Sequence, residues 1–192
     1  LEIQCEKCNA RFAVIGSAYF CPACGHNSVT QTFSDSLRKI KAKKDGIDVV
    51  RKALIESIGK DEAELTCRSL RETCISDGVV AFQKYCEGMY EGFGKIPFNA
   101  FQRLKQGSQL WIIAIQKGYN DWLSDEELKK LNILYQKRHL LSHNEGIVDS
   151  QYINKSGDIA YKEGQRIVIT DKDIDSLVSS LEKLSNGIKS VC

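Results

Sequence analysis

The stretch CEKCNARFAVIGSAYFCPACGH, residues 5–26, contains two Cys-x2-Cys pairs that are separated by twelve residues. Each pair presents two thiols from one tight turn. The β-prone residues 11–15 and 18–20, with Gly16-Ser17 between them, predict a hairpin that brings the two turns together. Four thiolates at this spacing complete a tetrahedron around one metal ion. We therefore predict a small β module whose metal ligands are Cys5, Cys8, Cys21 and Cys24.

This module resembles a zinc ribbon, since Cys-Pro-x-Cys-Gly, here residues 21–25, is the usual second turn of that family. The resemblance implies one structural zinc ion, because four thiolates leave no position open for water. Residues 1–33 are also too few to bury a stable core without a metal. His26 can replace a thiolate, but with four cysteines available we treat it as a bystander. The side chains suited to contact nucleic acid or protein are Lys7, Arg11, Phe12 and Tyr19.

The other cysteines and the composition are typical of an intracellular globular protein. Cys67, Cys74 and Cys86 lie in one helical stretch and Cys192 is the last of the 192 residues, so we expect a metal site plus reduced thiols and a cytoplasmic protein. The 27 Lys and Arg residues nearly balance the 25 Asp and Glu residues. Binding to nucleic acid would therefore need a local basic patch. No apolar stretch reaches the roughly 18 residues of a spanning helix, so no membrane partner is expected.

From Ser34 onward the apolar residues recur at helical spacing. The first predicted helix begins near Ser34 and is divided by Gly46, and the second spans residues 61–87 with Gly78 weakening its middle. Asn99 is expected to cap a third helix. We therefore predict a mainly α fold, in which an antiparallel helical bundle over residues 34–192 follows the ribbon.

The end of the chain completes this bundle. Ser124 and Glu127 form a capping box that begins a fourth helix, which runs to about His143. A polar loop, a short strand at residues 167–169 and a helix from Thr170 through Leu184 are expected after it.

The segment QKRHLLSHNEGIVD, residues 136–149, contains the chemistry-bearing residues of the bundle. Arg138 and His143 are separated by four residues at the end of the fourth predicted helix, where the helix dipole favours an imidazolium. A permanent cation beside a titratable imidazole suits phosphodiester chemistry, since the cation stabilises the phosphorane and the imidazole transfers a proton.

Residues 138–149 and the following Gln151-Tyr152 resemble the motif helix of the HEPN superfamily, which carries Arg-x4-6-His and a His-Asn-x-Gly-hydrophobic-Val-Asp exit. The likeness covers about residues 34–192 and is closest to the Apea-like anti-phage branch. It implies a metal-independent endoribonuclease of a bacterial defence or toxin–antitoxin system, with RNA as substrate and a possible partner or regulatory protein. It also implies a homodimer in which two motifs form one site. By resemblance the catalytic residues are Arg138, His143 and Asn144, and we add His139, which occupies a position that is often Asn.

Other interpretations of these residues stay open. His139 lies on the same helix side as Tyr135 and can simply pack there, and His143-Asn144 can cap helix carbonyls. The bundle can then serve as a dimerisation or ligand-sensing module with the ribbon as a docking surface. The third alternative is a zinc-ribbon protein that binds nucleic acid without turnover.

Two further features have no assigned role. HEPN families often use an acidic residue from an earlier helix, and Asp77, Glu87 and Glu91 are all candidates. Residues 38–44 contain five cations in seven positions, which indicates either a solvated helix face or a phosphate-contact patch.

Overall fold

A computed structural model describes residues 2–13 and 20–192 of the chain. Within these residues the protein is mainly α, with a two-stranded antiparallel sheet at the N-terminal end. This confirms the predicted fold class. The described part of the chain contains no helix of the length and apolarity that a membrane crossing requires.

The cysteine module is built from two short β pairings. Strand β1 (Glu2–Gln4) pairs with β2 (Arg11–Ala13), and Phe20 forms an isolated bridge with Asn27. Each pairing encloses one Cys-x2-Cys turn. The hairpin predicted between residues 11–15 and 18–20 falls largely on residues 14–19, which lie outside the described residues.

Two long helices follow directly. Helix α1 (Val29–Ile58) is capped by Ser28, whose hydroxyl accepts a hydrogen bond from the N–H of Gln31. The predicted start at Ser34 is therefore wrong, because Ser28 caps the helix and Phe33 is already buried in the bundle core. Gly46 lies within the continuous helix and does not divide it.

Helix α2 (Lys60–Met89) confirms the helix predicted over residues 61–87. Gly59 joins α1 to α2 with a φ of 91°, a conformation that favours glycine. At Gly78 a Cβ atom would lie 2.7 Å from the side chain of Leu177 in α6, so this glycine allows two helices to approach closely while α2 continues through it.

The remaining helices complete the bundle. They are α3 (Leu104–Ile115), α4 (Asp125–His143), α5 (Ser150–Ser156) and α6 (Asp171–Lys189), with 3-10 turns at Ala100–Gln102 and Tyr119–Asp121. The capping box predicted at Ser124 is present, and the helix predicted to begin at Thr170 is capped there, also by a capping box. Asn99 precedes the first 3-10 turn and makes no capping bond there, because it adopts a left-handed conformation. The strand predicted at residues 167–169 is wrong: a single bridge joins Ile147 to Arg166, and beyond it Ile167 and Ile169 pack into the core while Val168 is exposed.

Helix α2 lies at the centre, in contact with α1, α4 and α6. Its thiols at Cys67, Cys74 and Cys86 are buried and free, as predicted. The core is rich in aromatic rings, among them Phe33, Phe82, Tyr85, Trp111 and Tyr119. This core holds α4 rigidly, with Leu131, Leu134 and Leu140 facing inward and the opposite side of the helix facing a groove.

Candidate active-site groove and metal cluster

The four cysteines of the ribbon form a compact cluster. Their sulfur atoms all lie within 4.8 Å of one another, with 3.7 Å between Cys5 and Cys24 and 3.5 Å between Cys8 and Cys21. Among the described residues no other group of His, Cys, Asp or Glu is arranged to hold a metal ion, and His26 is not a member of this one. One metal ion can therefore contact all four thiols.

The two cysteine turns have the same backbone geometry. The N–H of Asn9 donates to the carbonyl of Cys5, and the N–H of Gly25 donates to the carbonyl of Cys21, at 2.9 and 2.8 Å. Asn9 and Gly25 both have positive φ, 61° and 73°, which are values that Asn and Gly tolerate best. The local sequence therefore favours the same conformation in both turns.

The thiols of the first turn differ in acidity. Burial raises the pKa of Cys5, but hydrogen bonds from the backbone N–H groups of Cys8 and Lys7 outweigh it, and the pKa falls to about 6. At Cys8 the backbone N–H of Ala10 lowers the pKa, but the neighbouring thiols of Cys24 and Cys21 raise it to about 12. The cluster thus loses a first proton readily and resists losing further ones unless a cation balances the charge.

A groove of about 760 Å³ runs along the exposed side of α4. It is framed by the turn before α3, the C-terminal half of α4 and the adjoining α5. Arg138, His139 and His143 all line it, so the structure brings three of the four predicted catalytic residues together. The other lining side chains are Asn99, Gln102, Arg103, Leu104, Lys105, Asn132, Tyr135, Gln136, Gln151, Asn154 and Lys155.

The lining of this groove is strongly cationic. It contains Arg103, Lys105, Arg138 and Lys155 and no Asp or Glu. Among the residues that the structure describes, none of these four cations forms an ion pair with a carboxylate. Unpaired cations that converge on one concave surface attract a polyanion.

The two imidazoles of the groove are neighbours on successive turns of α4. The ring centroids of His139 and His143 lie 4.7 Å apart, with 50° between the ring planes. Burial lowers the pKa of His139, and the positive charge of a protonated His143 lowers it further. His139 is exposed at the groove surface rather than packed in the core.

Arg138 is held at the base of the groove. Its Nη1 donates to the Oε1 atom of Gln102 at 3.2 Å, and its Nε is buried without a hydrogen-bond partner among the described residues. The N–H groups of a guanidinium that face a groove can donate hydrogen bonds to phosphate oxygens.

Asn144 has a different position from the other three candidates. It is the C-cap of α4, and its side-chain amide donates to the carbonyl of Ile147 at 2.7 Å. It does not line the groove. Its observed contact fixes the turn that leaves α4.

The rest of the exit segment also shapes this turn. Gly146 has a φ of 78°, and the N–H of Val148 donates to the carbonyl of Gln165. Asp149 caps α5 by accepting a hydrogen bond from the N–H of Tyr152 at 2.7 Å. Helix α5 is thereby held against α4, where the amide of Asn132 donates to the carbonyl of Lys155 at 2.9 Å. The segment therefore positions the α5 wall of the groove.

The basic run at residues 38–44 lies on α1, and every one of its cations has an acidic partner. Arg38 and Lys39 pair with the buried Asp35, and Lys41 pairs with Glu182. Lys43 pairs with Asp77 at 2.7 Å and Lys44 with Asp175 at 2.5 Å. These carboxylates offset the positive charge, so the structure favours the solvated-face interpretation of this run.

The structure distinguishes the three acidic candidates by their contacts. Asp77 forms an ion pair with Lys43, and Glu91 is exposed beyond the end of α2. Glu87 accepts a hydrogen bond from Gln83, which in turn contacts Gln102. Glu87 is thus the acidic residue with a hydrogen-bonded connection to the groove.

Sequence reasoning missed several groove residues. Arg103 and Lys105 lie more than thirty residues before the motif and no local pattern marks them, whereas Lys155 lies just after the motif, in α5. The one available signal was the capped helix after Asp149, which would have directed attention to Lys155. Gln102 carries no sequence signal at all, because its role depends on the 3-10 turn that presents it.

No family model matches this chain, and neither does any curated protein or solved structure.

Proposed function

We propose that this protein is a metal-independent endoribonuclease of the HEPN type. The observation that supports it is the single groove in which two adjacent imidazoles and four unpaired cations converge without a carboxylate. Imidazoles transfer protons near neutral pH, and cations stabilise a phosphorane, so the groove supplies both parts of RNA transesterification. The lining has none of the carboxylate ligands that Mg²⁺ prefers.

The proposed reaction uses the two histidines in different protonation states. His139, whose pKa is lowered, removes the proton from a ribose 2′-OH. The 2′-oxygen attacks the adjacent phosphorus, and Arg138 stabilises the negative charge of the phosphorane. His143 donates a proton to the 5′-oxygen as the P–O5′ bond breaks. The products are a 2′,3′-cyclic phosphate and a free 5′-hydroxyl.

The flanking cations of the groove suit a single-stranded substrate. Lys105 on α3 and Lys155 on α5 both line the groove from outside α4, where they can contact phosphates that flank the scissile bond. A second, more apolar pocket of about 570 Å³ adjoins the groove through Leu104, Lys105 and Asn132. It offers room for an unstacked base next to the backbone.

Incubation of the purified protein with end-labelled single-stranded RNA in EDTA tests this proposal directly. We expect fragments that end in a 2′,3′-cyclic phosphate. The same sequence as DNA or as 2′-O-methyl RNA should remain intact, because neither has a free 2′-OH. Binding of RNA without any cleavage would support the alternative of a non-catalytic RNA-binding module.

The homodimer is a prediction about assembly that we retain, with α4 near the two-fold axis. One chain already contributes two imidazoles to the groove, so dimerisation is not needed to supply both an acid and a base. Its expected contribution is to close the groove over the substrate. Light scattering at high micromolar concentration should give twice the chain mass, and a strict monomer would contradict the dimer.

The proposed biological setting is bacterial anti-phage defence or a toxin–antitoxin system. It rests on the resemblance of residues 138–152 to the Apea-like HEPN branch. Induced expression in a bacterial host should arrest growth, while the His143→Ala protein at equal abundance should not. Equal growth in both cultures would count against a toxin.

We further propose that the cysteine cluster binds one structural Zn²⁺. A tetrahedral site with zinc–sulfur distances of about 2.3 Å has sulfur atoms about 3.8 Å apart. The sulfur separations of 3.7 and 3.5 Å are close to that value. Zinc bound by all four thiolates would hold the two Cys-x2-Cys turns together.

Metal analysis and one matched pair of variants test the zinc site. We expect one zinc per chain and its loss in Cys21→Ser, with residues 2–28 becoming protease-sensitive while the helical circular dichroism of the bundle persists. Cys192→Ser replaces an exposed thiol outside the cluster and should retain the metal. Absence of zinc from a reduced, chelator-free preparation would end this proposal.

A further inference from the structure

A line of hydrogen bonds connects Arg138 to helix α2. Arg138 Nη1 donates to Gln102 Oε1 at 3.2 Å, and Gln102 Nε2 donates to Gln83 Oε1 at 2.5 Å. Gln83 Nε2 then donates to Glu87 Oε1 at 2.7 Å. Three separate elements contribute to this line: α4, the 3-10 turn at Ala100–Gln102, and α2.

The two ends of the line determine the direction of both amides. A guanidinium can only donate hydrogen bonds, and an ionised carboxylate can only accept them. Glu87 therefore attracts the NH2 group of Gln83 and turns its oxygen toward Gln102. Gln102 in turn places its NH2 group toward Gln83 and its oxygen toward Arg138. Only this arrangement gives each of the three contacts one donor and one acceptor.

The arrangement orients Arg138 without neutralising it. A carboxylate in direct contact with the guanidinium would form an ion pair and compete with a phosphate. Here the acceptor that contacts Arg138 is an uncharged amide, and the negative charge lies two side chains away at Glu87. The guanidinium thus keeps a fixed position, and its charge is not neutralised by a contacting carboxylate among the described residues.

We propose that Glu87, Gln83 and Gln102 are positioning residues, which act together to fix the direction in which Arg138 presents its guanidinium to the groove. This relay (Glu87, Gln83 and Gln102) deepens the proposed function, on which its effect on RNA cleavage rests. Its effect on Arg138 itself does not depend on catalysis.

Substitutions at position 87 change whether its side chain accepts or donates the hydrogen bond that orients the two amides. Glu87→Gln removes the acceptor-only end, so both amide orientations become possible. Glu87→Lys places a donor at each end of the line, so one donor pair must face each other. Glu91→Lys is the matched control, because Glu91 is an exposed glutamate one turn further along the same segment.

We expect Glu87→Lys to lower kcat about 10-fold and Glu87→Gln about 3-fold, with KM within about 2-fold of wild type, since a misdirected catalytic group costs rate more than binding. Glu91→Lys should have the wild-type kcat. Adding Gln83→Glu to Glu87→Lys returns an acceptor to the second position of the line, from which Gln102 again turns its oxygen to Arg138. This double variant should recover most of the lost rate.

Modification of arginines by phenylglyoxal, resolved residue by residue with mass spectrometry, provides a readout without RNA. Arg138 should react several-fold faster in Glu87→Lys and return to its slow rate in the double variant, while Arg103 serves as the internal reference in each sample. Equal Arg138 reactivity in Glu87→Lys and Glu91→Lys would overturn the relay, whether or not RNA is cleaved. If Arg138 responds as expected but the wild-type protein cleaves no RNA, the relay stands and the proposed nuclease function fails.

Discussion

Two regions of this protein concentrate positive charge, and they differ in whether their cations pair with carboxylates. The run on α1 at residues 38–44 is the densest basic segment of the sequence, yet all five of its cations pair with carboxylates of α1, α2 and α6. The groove beside α4 gathers Arg103, Lys105, Arg138 and Lys155 from distant parts of the chain and pairs none of them among the described residues. Charge density along the sequence is thus a poor guide to where a polyanion binds. The positions of the carboxylates after folding decide it.

The largest expected difference between the two regions is in RNA cleavage. His143→Ala should fold normally and lose cleavage by about 10²–10⁴-fold, because it removes proton transfer without opening a core cavity. Arg138→Ala should lose a similar amount, and Arg138→Lys should recover only part, since an ammonium lacks the bidentate fork. The His143→Ala/Arg138→Ala double variant should be little worse than either single one. Single-turnover cleavage rates check these values.

Lys43→Ala is the control for this comparison, because it removes a cation from the α1 run. It should cleave RNA at the wild-type rate. A loss in Lys43→Ala as large as that in Arg138→Ala would show that the two regions do not differ in the way proposed.

A smaller difference is expected in RNA affinity. Lys105→Gln/Lys155→Gln should weaken binding about 10-fold and reduce the slope of log K against log salt by about 1.4, which corresponds to two lost phosphate contacts on a single strand. Lys41→Gln/Lys44→Gln removes the same charge from α1 and should change affinity by less than about 2-fold. Fluorescence anisotropy at several salt concentrations measures both quantities. Equal loss in both variants would mean that only net charge matters.

The same two double variants should also differ in stability, but here the α1 variant should show the larger loss. Lys41 and Lys44 are paired with Glu182 and Asp175, so their replacement should slightly lower the free energy of unfolding. Replacement of Lys105 and Lys155 removes no ion pair with any described residue and relieves repulsion in the groove, so stability should be unchanged or slightly higher. Chemical denaturation decides between these outcomes. A groove variant that is less stable than the α1 variant would contradict the pairing pattern.

The smallest effect concerns pH. Burial and the charges of His143, Lys155 and Arg138 lower the pKa of His139 against the opposing attraction of Asp149. A pKa that is lower in the folded than in the unfolded protein gives stability that is present above the unfolded value, about 6.5, and is lost as pH falls through the folded value. His139→Gln should therefore show a smaller loss of stability between about pH 7.5 and about pH 5 than the wild type. Identical losses would show that His139 does not experience this environment.

The sequence predicted those features of the fold that depend on local chemistry. The cysteine cluster, the helix caps at Ser124 and Thr170 and the helix over residues 61–87 are all set by neighbouring residues, and the structure confirms them. The predicted start of α1 at Ser34 is wrong because the true cap, Ser28, lies in a segment whose composition resembles a linker. The strand at residues 167–169 was wrong because buried apolar residues near a single β-bridge share the composition of a strand.

The candidate site was predictable only along α4. Arg138, His139 and His143 share one helix, so their spacing placed them near one another before the fold was known. Gln102, Lys105 and Lys155 join them through tertiary packing, which no periodicity in one sequence reveals. The ion pairs of the α1 run are equally hidden from sequence analysis, because its partners in α6 are more than one hundred residues away in sequence.

The turn that follows α4 has a consequence for how such motifs evolve. Asn144, Gly146 and Asp149 each fix backbone geometry: a capped carbonyl, a left-handed residue packed beside Leu141, and the first turn of α5. A descendant chain that had lost both imidazoles would still need these three residues to dock α5. Selection for folding would therefore preserve the outline of the motif long after selection for chemistry had ended. Within such a lineage, the persistence of Arg138 and His143 would be the sign of the proposed chemistry, and the persistence of the exit turn would be a sign of the architecture alone.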